Sequence, residues 1–114
     1  MAYEQAGLGP KDLDVTEVQD GDAFSEIEYY EELGFCEKGE GGRLIEDGVT
    51  EIGGRLPVDR SGGLQARDES LGAASHYVQI YELVKQLRGE AGPRQVECTR
   101  VGLVQVFGAW ATAA

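Results

Sequence analysis

The sequence predicts one α/β domain over residues 1–114, and three observations carry that expectation. Helix-type and strand-type patterns alternate along the chain. Residues 70–88 place apolar side chains at helical spacing. Residues 100–108 are almost all apolar and suit a strand buried on both faces of a sheet. A chain of 114 residues closes one core, not two lobes with a cleft between them.

The elements are read in order. Residues 2–6 look like the end of a helix, stopped by Gly7 and the Gly9-Pro10 pair. Asp14 to Val18 alternates with period 2, as a short strand does. Asp22 is placed to cap the next helix, with Glu26 near the first turn, where the helix dipole favours an acid. Ala23, Ile27, Tyr30 and Gly34 fall on its apolar face, and Gly34 suits the stop. Residues 36–68 are punctuated by glycine, with one helical turn expected at Leu44-Ile45 and an irregular strand from Ile52 to Val58. A loop this long is unusual in a compact domain unless it has a task. It is no phosphate loop, because no Gly-Lys-Ser/Thr follows. Ser70 can cap the long helix. Its stripe of Tyr77, Ile80, Val84 and Leu87 is expected to pack against the last strand.

Composition excludes several functions. Ten basic against 21 acidic residues give a net charge of −11, which repels nucleic acid. Residues 1–51 carry 15 acidic and 3 basic residues, whereas 52–114 carry 6 and 7. The acidic half reads as a solvated face, or as a docking surface that turns an anionic ligand towards the second half. No membrane span and no signal peptide are expected, so the chain is read as cytoplasmic. Cys36 and Cys98 read as reduced thiols, and with His76 the lone histidine no metal site is expected.

Catalytic groups are sparse. Asp20 and Asp22 sit at a strand-to-helix junction, and Asp68 and Glu69 at a loop-to-helix junction. Ligands of α/β sheets gather at the carboxyl ends of strands, where a carboxylate serves as a base or as a helix cap. Tyr29, Tyr30, Tyr77 and Tyr81 read as core residues.

The residues themselves go further. The segments Glu32-Leu33-Gly34-Phe35-Cys36, Leu44-Ile45-Glu46-Asp47-Gly48, Gly53-Gly54-Arg55-Leu56-Pro57-Val58, Ser61-Gly62-Gly63-Leu64 and Leu83 to Gly92 followed by Arg94-Gln95-Val96 resemble the C-terminal part of the thiolase superfamily. The similar branch is that of the lipid-transfer or sterol-carrier thiolases and their steroid side-chain aldolase relatives. The implied fold is the C-terminal part of a thiolase fold: a mixed sheet with packed helices and a long Gly-rich loop, truncated at both ends.

The departures from that pattern shape the functional expectation. Gln19 stands where sterol-carrier thiolases have a His before the Asp, and Glu69 stands where their Gly-His-Pro motif has its His. The aldolase branch resembles the chain better, through Gln19, Asp20, Asp22, Glu26 and Glu69. There Phe107 falls at a Tyr position, removing a hydroxyl. The thiolase half that brings the nucleophilic Cys has no counterpart here. The resemblance implies coenzyme A thioesters as substrates, acyl-CoA or steroyl-CoA, with no covalently bound cofactor. It also implies partners: a homodimer, a thiolase-like chain, or a small OB-fold, zinc-ribbon protein.

The expected function is therefore the C-terminal fragment of a retro-aldolase or acyltransferase, inactive alone. The alternative is a non-catalytic binding or partner subunit. Asp20 and Glu69 are the catalytic candidates, expected to meet near Ser61-Gly62-Gly63. Gln19, Asp22, Ser61, Gly62, Gly63, Arg55, Arg60 and Arg67 are the candidates for substrate binding.

Overall fold

The computed structural model describes residues 2–64, 73–107 and 112–113. Helix α1 spans Ala2–Ala6, strand β1 Val15–Glu17, helix α2 Ala23–Glu32, helix α3 Gly41–Glu46 and helix α4 Ala73–Leu87. Strands β2 (Gly102–Val104), β3 (Val106–Phe107) and β4 (Thr112–Ala113) close the chain, and 3₁₀ turns occupy Pro10–Asp12 and Gly92–Arg94. Strands β1 and β2 pair in parallel, with Thr16 opposite Leu103, while β3 and β4 pair antiparallel.

Parallel strands need a cover on both faces. All three residues of β1 are fully buried. Strand residues alternate between faces, so Gly102 and Leu103 point opposite ways. On one face Leu103 joins Leu13, Val18, Tyr30, Leu33 and Leu56 in the main core. On the other, Leu83 of α4 lies so close that a Cβ on Gly102 would sit 3.2 Å from its Cδ1. Helix α1 is tied to the same core by the Tyr3 hydroxyl, which donates to the Leu33 carbonyl at 3.0 Å.

Several expectations are corrected. The apolar stripe of α4 does not pack on the last strand: Tyr77, Ile80, Val84 and Leu87 are 71%, 47%, 40% and 46% exposed, and Tyr81 is exposed with them. The buried stripe is Gln79, Glu82, Leu83 and Gln86. This second set has equally good helical spacing. It is tolerated because most of its polar groups meet partners: Gln86 donates to Glu82 at 3.0 Å and to the Arg94 carbonyl at 2.8 Å, Arg94 pairs with Glu82 at 3.1 Å, and of Gln79 the Nε2 is bonded while the Oε1 is not. Ile52 to Val58 forms no strand. Val58 alone makes a single bridge, to Thr16, and Ile52 is 80% exposed. The turn at Leu44-Ile45 is a six-residue helix. The run 100–108 supplies the short β2 and β3, and only Leu103 and Gln105 of its described side chains are buried. Of the apolar face read on α2, Tyr30 alone is buried, and Ser70 lies outside the described residues.

Candidate functional site

At the carboxyl end of β1 the chain runs on through Val18, Gln19 and Asp20, and the Gly-rich loop 59–64 lies against it. Asp59 N–H donates to the Thr16 carbonyl at 2.9 Å, and beyond this backbone bond the contact is made mainly by carboxylates on backbone N–H groups. Asp59 accepts from Val18 N–H at 2.8 Å. Glu17 accepts from Ser61 twice, from its N–H at 2.9 Å and its hydroxyl at 2.6 Å. Asp20 accepts from Leu64 N–H at 2.6 Å.

Gly63 is required at that contact. Its φ is +76°, and a Cβ there would stand 2.0 Å from Asp20 Oδ2. The backbone approaches the carboxylate closer than any side chain permits. Of the candidates read from the sequence, Gln19, Asp20, Ser61, Gly62 and Gly63 thus lie along one seam.

Behind the seam runs a layer of amides. Gln19 N–H donates to Gln105 Oε1 at 2.8 Å, and Gln79 Nε2 reaches the Gln105 carbonyl at 3.3 Å. Gln79 and Gln105 are fully buried.

The other candidates stand elsewhere. Asp22 caps α2, accepting Ser25 N–H at 2.9 Å, and these bonds hold its carboxyl below the usual range. Arg55 is exposed. Arg60 is 9% exposed and donates through Nε and Nη2 to the Arg94 carbonyl at 3.0 and 2.9 Å. Both Arg60 and Arg94 line an open cleft of about 600 Å³ with Thr50, Ile52, Asp59 and Gly62. Arg67 and Glu69 lie outside the described residues, as does the side chain of Phe107, whose backbone pairs with Thr112.

Two titratable groups of the seam were not singled out from the sequence. Glu17 is fully buried, and burial pushes its carboxyl up to about 7; the charges of Glu82 and Asp20 add to this, against the two bonds from Ser61. Burial likewise raises Asp59 to about 9, with the Glu17 charge the next cause. A charged residue on a strand beside Val15 was the available signal for Glu17. Asp59, in a loop, gave none. Both groups hold protons near neutral pH and can exchange them with a reacting group. Among the described residues no group of three or more His, Cys, Asp or Glu side chains is arranged to hold a metal. No described helix is long and apolar enough to cross a membrane.

A family model described as thiolase C-terminal domain-like matches residues 1–114, and the chain belongs to this family. It is 50% identical over 107 residues to an acetyl-CoA acetyltransferase of Methanothermobacter thermautotrophicus, covering 94% of this chain and 28% of the relative. It is 44% identical over 106 residues to sterol carrier protein 2 of Rattus norvegicus, covering 93% of this chain and 19% of the relative. Among solved structures, the Ltp2-ChsH2(DUF35) aldolase matches with a TM-score of 0.78 at 36% identity, over 90% of this chain and 26% of that one. The chain thus spans 28% or less of the length of these relatives.

Proposed function

We propose that this chain supplies the C-terminal part of a thiolase-fold site for acyl-CoA or steroyl-CoA thioesters, with carbon–carbon bond chemistry of the retro-aldol or acyl-transfer type. The observation that carries the reading is the seam: Asp20, held at 2.6 Å on Leu64 N–H against the Cβ-less Gly63, at the carboxyl end of a parallel strand. Ligands of α/β folds collect at that end. Asp20 and Glu69 are the candidate proton carriers. Gln19, Ser61, Gly62 and Gly63 line the substrate side, while Asp22 stands at the N-terminus of α2. Arg55, Arg60 and Arg67 are the cations offered to the phosphates of coenzyme A, of which Arg60 lines the open cleft.

The site is completed by further polypeptide. Helix α4 leaves Tyr77, Ile80, Tyr81, Val84 and Leu87 exposed along one face, the kind of contiguous apolar surface that marks a contact with another chain. A thiolase-like chain covers it, within a homodimer or beside an OB-fold, zinc-ribbon protein. Alone the chain has no turnover, in the cytoplasm or elsewhere.

A second reading, a non-catalytic partner subunit, is favoured by the amides at the strand end. Gln19, Gln79 and Gln105 carry no transferable proton, and Phe107 has no hydroxyl.

Titration calorimetry of the full chain, alone and with a co-purified partner, with acetyl-CoA and a steroyl-CoA thioester tests the lead reading. Binding that Asp20→Asn weakens supports it. Absence of binding in both preparations refutes it. In an active complex Phe107→Tyr raises turnover if the retro-aldol assignment holds, and binding with no turnover in either form supports the partner subunit.

A further inference from the structure

We propose that the segment Asp59–Leu64 is a proton-operated latch: Glu17 and Asp59 keep it closed over the end of β1 while one of them retains its proton, and loss of both protons releases it.

The latch is built from acids on both sides. Glu17 and Asp20 reach from β1 and its continuation to Ser61 and Leu64, and Asp59 reaches from the loop back to Val18. No ion pair to Glu17, Asp20 or Asp59 is found among the described residues, and a proton on Glu17 or Asp59 relieves their mutual repulsion. The nearest cations are committed otherwise: Arg94 pairs with Glu82 at 3.1 Å, and Arg60 donates to a carbonyl.

The groups facing each acid are all of one kind or neutral, apart from Arg94. Glu17 faces Glu82 of α4 and Asp20, with the Arg94 guanidinium within electrostatic range. Asp59 faces Glu17, Asp20 and Glu26, and its charge is also felt by Tyr30 of α2. Burial raises both carboxyls, and the charge of Glu17 raises Asp59 further, so the two titrate as a coupled pair.

Asp59 is the member that can leave. It sits on the loop, and its Oδ2 is buried with no hydrogen-bond partner. Its φ is +51°, a left-handed conformation that Asp and Asn adopt more readily than other residues with a Cβ. Swinging outward hydrates the carboxylate and frees Val18 N–H, and the loop then carries Ser61 away from Glu17. The inference holds whichever ligand the seam takes.

Amide hydrogen exchange of the full chain by NMR, expressed as protection relative to the intrinsic rate, tests the latch between pH 6 and 10. Protection at Val18, Ser61 and Leu64 is expected to fall on the order of 10- to 100-fold across that range, while Leu33 N–H, bonded to the Tyr29 carbonyl at the end of α2, stays protected. Asp59→Asn keeps an acceptor, tolerates positive φ and cannot ionise, so its seam amides stay protected at pH 10. If that variant does not fold, Glu17→Gln serves: the amide cannot ionise either, so its seam amides are likewise expected to stay protected at pH 10. Wild-type protection that stays flat overturns the latch. So does a fall shared equally by α2, or variants that open with the wild-type profile.

Discussion

Gly63 and Asp20 are predicted to be energetically coupled, and the coupling can be worked out from the seam. In Gly63→Ala the new Cβ lies 2.0 Å from Asp20 Oδ2, so the carboxylate must move and its 2.6 Å bond from Leu64 N–H is lost. Losing a hydrogen bond to a charged acceptor costs about 1.5–3 kcal/mol. Holding alanine at φ +76° costs about 1–2 kcal/mol more. The single variant should therefore lose roughly 2.5–5 kcal/mol. Asp20→Ala loses the same bond, about 1.5–3 kcal/mol, and takes its charge away from Glu17 and Asp59, an effect common to the single and the double variant. In the double variant the bond is lost only once and the clash has gone. Its destabilisation should fall short of the sum of the singles by about 1.5–3 kcal/mol. Urea unfolding of the four proteins, followed by circular dichroism, measures the cycle. Additivity within about 0.5 kcal/mol would falsify the close contact, because independent sites add to that precision.

Helix α4 supplies a second test. Leu83→Ala, at a site 6% exposed against Gly102 and Val15, should cost about 2–5 kcal/mol, while Leu87→Ala, 46% exposed, should cost less than about 1 kcal/mol. The reverse order in urea denaturation would mean that the helix is rotated. A third concerns pH. Glu17 is raised in the folded state from an ordinary 4.5 to about 7, so its contribution to stability is fully present below about 4.5 and is lost as pH rises through about 7. The loss is on the order of 3 kcal/mol, since each unit is worth about 1.4 kcal/mol. Glu17→Gln should be less pH-dependent than wild type over that window, and identical unfolding midpoints against pH for the two proteins would refute the assignment.

The order of elements was legible because it depends on local chemistry. Gly7 ends α1, Asp22 caps α2 and Gly34 stops it through a left-handed φ of +77°, and each signal lies within a turn of the structure it sets. The family was legible too, from Gly53-Gly54-Arg55-Leu56-Pro57-Val58 and Ser61-Gly62-Gly63-Leu64, and the match over residues 1–114 bears it out. The place of Asp20 after a strand was readable. So, through the family resemblance, was its neighbourhood with Ser61-Gly62-Gly63, although the bond itself goes to Leu64 N–H, 44 residues away.

Helix α4 marks the limit most clearly. Its sequence holds two stripes with the same period, one apolar through Ile80, Val84 and Leu87, the other through Gln79, Glu82, Leu83 and Gln86. Periodicity and hydrophobicity favour the first. Tertiary structure chose the second, because the backbone carbonyl of Arg94, its guanidinium and the Val96 N–H stand where Gln86 and Glu82 can use them. The same holds for Glu17 and Asp59: an acid in a strand and an acid in a loop become proton-holding groups only once folding removes water from both. Sequence by itself determined the fold class, the family and the glycines that let the chain turn. Which faces are buried, and which carboxylates meet, was decided by contacts between residues far apart in the chain, whose energies no local pattern encodes.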